Sequence, residues 1–282
     1  MKYVSFFLLN TLLFYSCRKD DISLEYNKLE YSFFVGGHSY GSPDNFIGGL
    51  YPPFVEKFNS LNNDTLLKMG FLTGDIVKYS TPYYWDLVDN DLEKLNCPVH
   101  FVAGNHDVTD MPLYSQRYGS IYYDFVFNGD LFIVLDGNID GWRISDDQLL
   151  FFNSAVDKHK KSVQNIFILS HQIIFSDHFD YLYNSDNGKG DSLNYLTDIK
   201  PILEHLNQKV YLIAGDVGAY SYSNSIFYRR ENNINYVASG MGSGERGNIL
   251  IVEKYINGEV KIKVVGLDVS NSSDLGYISD YE

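Results

Sequence analysis

The 282 residues carry a formal net charge of −14, from 22 Lys and Arg against 36 Asp and Glu. That sign argues against nucleic acid as a partner, because phosphate backbones are held by basic surfaces, and it slows polyanionic substrates unless a local cation offsets it. A hydrophobic share of 45% is ample for a buried core, and the 24 Tyr and 19 Phe follow no period, so they read as core and pocket walls.

Lys2 gives the chain a small positive start, and residues 3–15 are mostly apolar and uncharged. That run is too short to span a bilayer as a helix and fits the apolar region of a secretory signal. It ends in Leu13-Phe14-Tyr15-Ser16-Cys17, which resembles the cleavage box of bacterial lipoproteins. The resemblance implies that residues 1–16 are a signal peptide and that Cys17 becomes the lipidated first residue. Residues 17–30 would then be a tether, and the protein an exported lipoprotein anchored to the membrane, in the periplasm or at the cell surface. A plain signal peptide or a buried N-terminal helix is the alternative. With Cys17 so used, Cys97 has no partner, reads as a small buried apolar residue, and implies no disulfide framework.

From residue 31 onward, apolar runs alternate with helical patterns. Residues 31–35 form a strand running into Gly36-Gly37-His38. Residues 46–61 place Phe46, Leu50, Phe54, Phe58 and Leu61 at helical spacing, with Gly48, Gly49 and Pro52-Pro53 disturbing the start. A strand at 69–73 runs into Gly74-Asp75. A helix follows at 82–95, with Tyr84, Leu87, Leu92 and Leu95 as its apolar stripe. The run 100–103 stops at Gly104, and Asn105, His106 and Asp107 follow with no spacer. Residues 131–135 are a strand ending in Asp136, read as structural support for the site. Residues 146–161 are the clearest helix, acidic at the start and carrying Lys158, Lys160 and Lys161 at the end, as the helix dipole favours. A strand at 166–170 runs into His171. The segment 175–197 is long, rich in Asp, Asn, Gly and Tyr, and reads as a lid or specificity element. A short helix at 199–206 precedes a strand at 210–214 that runs into Gly215-Asp216. Strands at 236–238, 248–254 and 259–265 close the domain, the last two joined by Asn257-Gly258 as a hairpin. Residues 269–282 read as a tail.

The alternation predicts an α/β fold, a layered α/β/β/α sandwich of two sheets flanked by helices, in one domain over 31–268. Five strands end in polar side chains able to bind metal or move protons, and in open α/β sheets such ends are where ligands bind. Buried polar groups there are costly unless something pairs with them.

The order of these motifs resembles the calcineurin-like metallophosphoesterase superfamily, whose pattern is Asp-x-His, Gly-Asp, Gly-Asn-His-Asp or Glu, a lone His, then Gly-His-x-His. Here the corresponding segments are Gly36-Gly37-His38, Gly74-Asp75, Gly104-Asn105-His106-Asp107, His171 and Gly215-Asp216-Val217-Gly218. The resemblance implies one metal held by Asp75, Asn105, His171 and Asp216. The other metal keeps only His38 and Asp75, because Gly36 and Gly218 offer no side chain. It therefore implies one divalent cation rather than two. Asp216 in place of an imidazole favours Mn²⁺, Mg²⁺ or Ca²⁺ over Zn²⁺. His106 takes the place of the proton-handling histidine, oriented by Asp107, and His38 is free to bind a phosphoryl oxygen or act as acid. Taken singly, Asp75 reads as a helix cap, and Asp216 reads equally as cap, ligand or outer carboxylate. Asn105 to Asp107 alone would be a strand-end turn. His100, His159, His178 and His205 are not expected as ligands, although His178 in the lid could meet substrate. Arg143, Arg229 and Arg230 are candidate phosphate-binding charges that the sequence does not place.

Three functions follow from this reading. The first is a metal-dependent hydrolase of a phosphoric mono- or diester, small or part of the cell envelope. The second is a binding protein on the same fold with weak or no catalysis, and the third is an esterase acting on a non-phosphate ester.

Overall fold

The computed structural model describes residues 27–46, 48–179, 193–220, 223–242, 246–267 and 274–282. The expected signal peptide, Cys17 and most of the tether lie outside these residues, as does 180–192 of the expected lid. Among the described residues no helix is long and apolar enough to cross a membrane.

Among the described residues twelve strands form two six-stranded sheets. In the first, β1 (Leu29–Gly37) lies parallel to β2 (Leu67–Thr73), and β2 is parallel to β3 (Val99–Val102). On its other edge β1 meets β10 (Asn248–Tyr255), then β11 (Val260–Gly266) and β12 (Asp274–Tyr277), all antiparallel. The second sheet runs β4 (Tyr123–Phe127), β5 (Asp130–Val134), β6 (Asn165–Ser170), β7 (Lys209–Ala214), β9 (Ile234–Ser239) and β8 (Ile226–Glu231). Its centre, β5 through β9, is parallel. This is the expected two-sheet sandwich, with the five expected strand ends on β1, β2, β3, β6 and β7, each parallel to a neighbour in its sheet.

Strands buried on both faces read as unbroken apolar runs rather than alternating ones, and β5, β6 and β7 do. Between the sheets, Phe33 packs edge-on against Phe71, Phe132 and Phe167 at 5.1 to 5.6 Å. Each outer face carries helices. Over the first sheet lie α1 (Pro52–Val55), α2 (Phe58–Asn63), α3 (Pro82–Leu92) and α4 (Met111–Tyr118), seated through Phe54, Phe58, Trp85 and Tyr114. Over the second lie α5 (Asp146–His159) and α6 (Lys200–Glu204), seated through Phe152, Val156 and Leu203.

Several expectations are corrected. The helix expected over 46–61 is two short ones, because Pro52 occupies the first helical turn, where its missing N–H costs nothing, and the chain before it cannot be helical. The helix expected at 199–206 is a π-type turn, Tyr195–Ile199, followed by α6. Residues 269–282 are not merely a tail: β12 adds an edge strand to the first sheet, and Ile278 enters the core between the sheets. Cys97 is half-buried and free.

Candidate metal centre

The carboxyl ends of β1, β2, β6 and β7 converge, and hydrogen bonds between their loops fix the meeting point. The His38 amide donates to the Gly74 carbonyl and the Tyr40 amide to the Asp75 carbonyl, each at 3.1 Å, joining the ends of β1 and β2. The His171 carbonyl accepts from the amides of Gly215 and Asp216, both at 3.0 Å, joining β6 and β7. His38 and Asp75 carry positive φ, 53° and 50°. Such backbone costs on the order of 1–3 kcal/mol for a non-glycine residue and persists where the surroundings impose it, which is common at functional sites.

The side chains meet around Asp75. His38 Nε2 lies 3.4 Å from Asp75 Oδ2, and His171 Nε2 lies 3.3 Å from Asp75 Oδ1 and 3.8 Å from Asp216 Oδ1. Asp75, His171 and Asp216 are at most 1% exposed. The His171 tautomer follows from its other nitrogen. Nδ1 is 2.9 Å from the Thr73 carbonyl, which can only accept, so Nδ1 carries a proton. In the neutral ring Nε2 is then a lone pair facing two carboxylate oxygens, and it makes no hydrogen bond. Only positive charge placed there, a proton or a cation, relieves that contact. Burial works against charge on His171, but Asp75 and Asp216 outweigh it and push the imidazole above its ordinary value. Burial likewise works to raise the Asp75 carboxyl, and His171, His38 and His106 together hold it well below the usual carboxylate range.

Asn105 stands between two residues that touch Asp75. A Cβ at Gly104 would overlap the Asp75 amide, so only glycine allows β3 to come this close. The His106 amide donates to Asp75 Oδ1 at 3.2 Å. Asn105 is half-buried. The His106 ring is held by the Lys78 carbonyl, 2.8 Å from Nδ1, and packs at 5.4 Å from Tyr40, which itself lies 4.4 Å from the His38 ring.

Asp107 does not orient His106. Its carboxylate accepts from the amides of Ile76 at 2.8 Å, Val77 at 3.1 Å and Gly104 at 2.8 Å, so both oxygens serve the backbone. The Asp107 carboxyl is pushed up by burial and by the Asp75 charge, while the amides pull it down. It braces the loops after β2 and β3 and so positions Asp75 and Asn105.

The two expected gaps have structural causes. A Cβ at Gly36 would lie 3.1 Å from Met241 Cε and 3.7 Å from both Leu72 and Phe54, so that direction leads into apolar core. Gly218 has φ +86°, and a Cβ there would lie 2.8 Å from the Gly240 carbonyl. A larger side chain at Gly36 would have to displace Met241, and one at Gly218 would sit in left-handed backbone against the Gly240 carbonyl. The arginines do not reach the centre. Arg229 and Arg230 lie opposite Tyr236 and Asn235, at the end of the second sheet remote from Asp216, and Arg143 pairs with Asp140 at 3.3 Å. His100 stacks between Phe71 and Phe125, His159 faces Asp124 at 3.4 Å, and His205 caps the Pro201 carbonyl. His178 contacts Glu231 at 2.7 Å and Lys200 at 3.1 Å.

One supporting network was not anticipated. The Asn138 amide donates to Asp136 Oδ1 and, at 3.2 Å, to the Ala103 carbonyl, and Asn138 Oδ1 accepts from Gln172. It thus ties the ends of β3, β5 and β6 beside Asn105 and His171. From sequence Asp136 reads as structural support for the site, and no part is assigned to Asn138 or Gln172, whose contacts join segments far apart in the chain.

Among the described residues no group of three or more His, Cys, Asp and Glu side chains stands so as to hold a metal ion. The donors instead approach in pairs through Asp75 and His171. The donor chemistry fits a divalent cation, because ligands about 2.0–2.2 Å from an ion stand roughly 3–3.5 Å apart, close to the separations seen.

No protein-family model matches the sequence, and no curated protein matches it. Among solved structures, a purple acid phosphatase from yellow lupin seeds superposes with a TM-score of 0.63 at 10% identity, over 86% of this chain and 52% of that one. The fold is that of the metallophosphoesterases. The chain thus spans about half of that phosphatase. Vps29 from Chaetomium thermophilum aligns over 88% of this chain and 94% of its own, at 11% identity and a TM-score of 0.41. On the metallophosphoesterase fold of this chain, the converging strand ends carry Asp75, His171 and Asp216 together, with Asn105 alongside.

Proposed function

We propose that this protein is a hydrolase of phosphoric mono- or diesters that works with one divalent cation. The reading rests on one observation: Asp75, His171 and Asp216, from three separate strand ends, meet in the interior with His171 Nε2 turned toward both carboxylates. Asp75, Asn105, His171 and Asp216 would hold the ion, with hard oxygen donors favouring Mn²⁺, Mg²⁺ or Ca²⁺ over Zn²⁺. Such an ion polarises a phosphoryl oxygen and lowers the pKa of bound water. The chain's own residues supply the rest. His106 is pinned through Nδ1 to the Lys78 carbonyl, which puts the ring proton on Nδ1 and leaves Nε2, a lone pair in the neutral ring, as the atom that would take a proton from the attacking water. His38, held against Asp75 and Tyr40, is placed to contact a phosphoryl oxygen. Asp107 keeps the two loops in register through its three amide contacts.

The setting we propose is an exported lipoprotein anchored through Cys17, acting on a small-molecule or cell-envelope phosphoester. It is supported by the apolar run 3–15 and the small Ser16 before Cys17.

Elemental analysis of the purified chain, with hydrolysis of aryl phosphates and bis-aryl phosphates under Mn²⁺, Mg²⁺, Ca²⁺ and Zn²⁺, tests this. One ion per chain and metal-dependent turnover support it. No ion and flat rates in folded protein overturn it. A second reading, a cell-surface binding protein with little or no turnover, is favoured by the closed positions at Gly36 and Gly218. It predicts a bound ion without hydrolysis.

A further inference from the structure

At the end of the sandwich remote from Asp75, the two sheets leave a cavity of about 440 Å³ between them. That volume lies within the range of small-molecule sites. Lys209 at its mouth opens β7, and Asp216 follows the end of that strand. At ~3.3 Å per residue the two sites are therefore on the order of 20 Å apart.

The floor is aromatic and apolar, built from Tyr211, Tyr228, Ile262 and Ile278, all buried. The Tyr228 hydroxyl donates to Asn235 Oδ1 at 3.0 Å, and the Asn235 amide donates to the Val210 carbonyl. Tyr211 differs. It is 4% exposed, yet among the described residues its hydroxyl makes no hydrogen bond. The hydroxyl is open to the cavity that Tyr211 lines, where a ligand can accept from it. Burial holds this phenol well above its ordinary value, so it remains a donor.

The rim is basic on an acidic chain. Lys209, Arg230 and Lys261 surround one carboxylate, Glu259, which lies 3.9 Å from Lys261. Lys209 and Arg230 pair with no carboxylate among the described residues. Among the lining residues cations outnumber carboxylates, and although the charges of Asp130 and Glu282 also reach Tyr211 and Tyr228, Lys209 and Arg230 give an anion a local attraction on an otherwise acidic chain.

We propose that this cavity is a second ligand site, taking a small organic anion with an apolar or aromatic body. The head group meets Lys209 and Arg230 and accepts a hydrogen bond from the Tyr211 hydroxyl. The body lies on the tyrosine and isoleucine floor. A carboxylate or a phosphate would serve as the head, since both accept from a guanidinium fork and a phenol.

Titration of 8-anilinonaphthalene-1-sulfonate onto the folded chain, with dodecanoate and dodecyl phosphate as competitors, tests this. The expected result is one saturable site per chain, displaced by both amphiphiles, with the tighter competitor identifying the preferred head group. Lys209→Glu combined with Arg230→Glu should weaken binding at least ~10-fold. Tyr211→Phe, which keeps the ring and its packing, should weaken it about 5-fold at an unchanged melting temperature. Asp75→Asn should bind the probe as the parent does, which separates this site from the metal centre. Undiminished binding in the charge-reversed protein would overturn the proposal. So would loss of binding in Asp75→Asn, or complete displacement by inorganic phosphate alone.

Discussion

Buried carboxylates at the two ends of the sandwich are treated differently. Asp130, at the amino-terminal ends of the parallel strands, is fully provided for. Oδ1 accepts from the amide and side chain of Asn165 at 3.0 and 2.9 Å, and Oδ2 accepts from the Tyr31 hydroxyl at 2.7 Å. Asp75, at the carboxyl-terminal ends, has one backbone donor at 3.2 Å and otherwise faces imidazole nitrogens at 3.3 and 3.4 Å, beyond good hydrogen-bond length. A buried charge completed within the chain is architecture. A buried charge that leans on imidazoles depends instead on positive charge at those rings or between them, a proton or a cation.

The largest effect that would break this contrast is at Asp75 itself. Asp75→Asn should take bound metal from one ion per chain to none and lower turnover by more than the ~10–100-fold that loss of an outer partner costs. Retention of the ion, read by elemental analysis, would place the cation elsewhere. Next comes Asn138→Ala, which touches no proposed ligand but unties the ends of β3, β5 and β6. Metal affinity should fall about 10–100-fold, measured by competition with a chelating dye, while the thermal unfolding curve stays cooperative.

A third test concerns the positions without ligands. Because Gly218 has φ +86° and stands against the Gly240 carbonyl, Gly218→Ala should lower stability by about 1–3 kcal/mol in urea unfolding. Gly218→His should add no second ion. If it did, the loop would be free to rearrange and the gap would be mere substitution rather than a closed space.

The carboxyl-terminal strand ends could be read from sequence because each couples a long-range signal to a local one: an apolar run buried on both faces, then an abrupt glycine and a polar group. Their order then placed Asp75, His171 and Asp216 at one centre. What could not be read depends on contacts between segments far apart. Asp107 looks like a partner for its neighbour His106, but its oxygens are taken by amides some thirty residues earlier in the chain and by Gly104. The filling of the Gly36 direction by Met241 joins β1 to the loop after β9, which no spacing reveals. One omission had a local signal. Asn128 and Gly129, with φ 44° and 77°, turn β4 into β5 just as Asn257-Gly258 joins β10 to β11. The alternating run at 123–127 could have been paired on that evidence. Residues 274–277 carry no such mark, because a short edge strand containing Gly276 has little pattern to show.

The smallest effect sharpens the other side of the contrast. Burial pushes the Asp130 carboxyl above its ordinary value near 3.8, with Tyr31, Asn165 and Lys254 pulling it back. A carboxyl whose folded value is raised favours the fold when protonated. Its contribution is complete below about pH 3.8 and is lost as pH rises through the folded value. Asp130→Asn keeps an acceptor for Asn165 but cannot titrate. The stability of the parent relative to this variant should therefore decline as pH rises from 3.5 to 6. Urea midpoints of the two proteins at matched pH measure it, and the difference cancels every other titrating group. A parent that instead gains on the variant with rising pH would mean that Lys254, whose Nζ is 3.9 Å from Oδ2, holds Asp130 as a true ion pair. The amino-terminal end would then also run on charge, and completeness of hydrogen bonding alone would distinguish it from the metal centre.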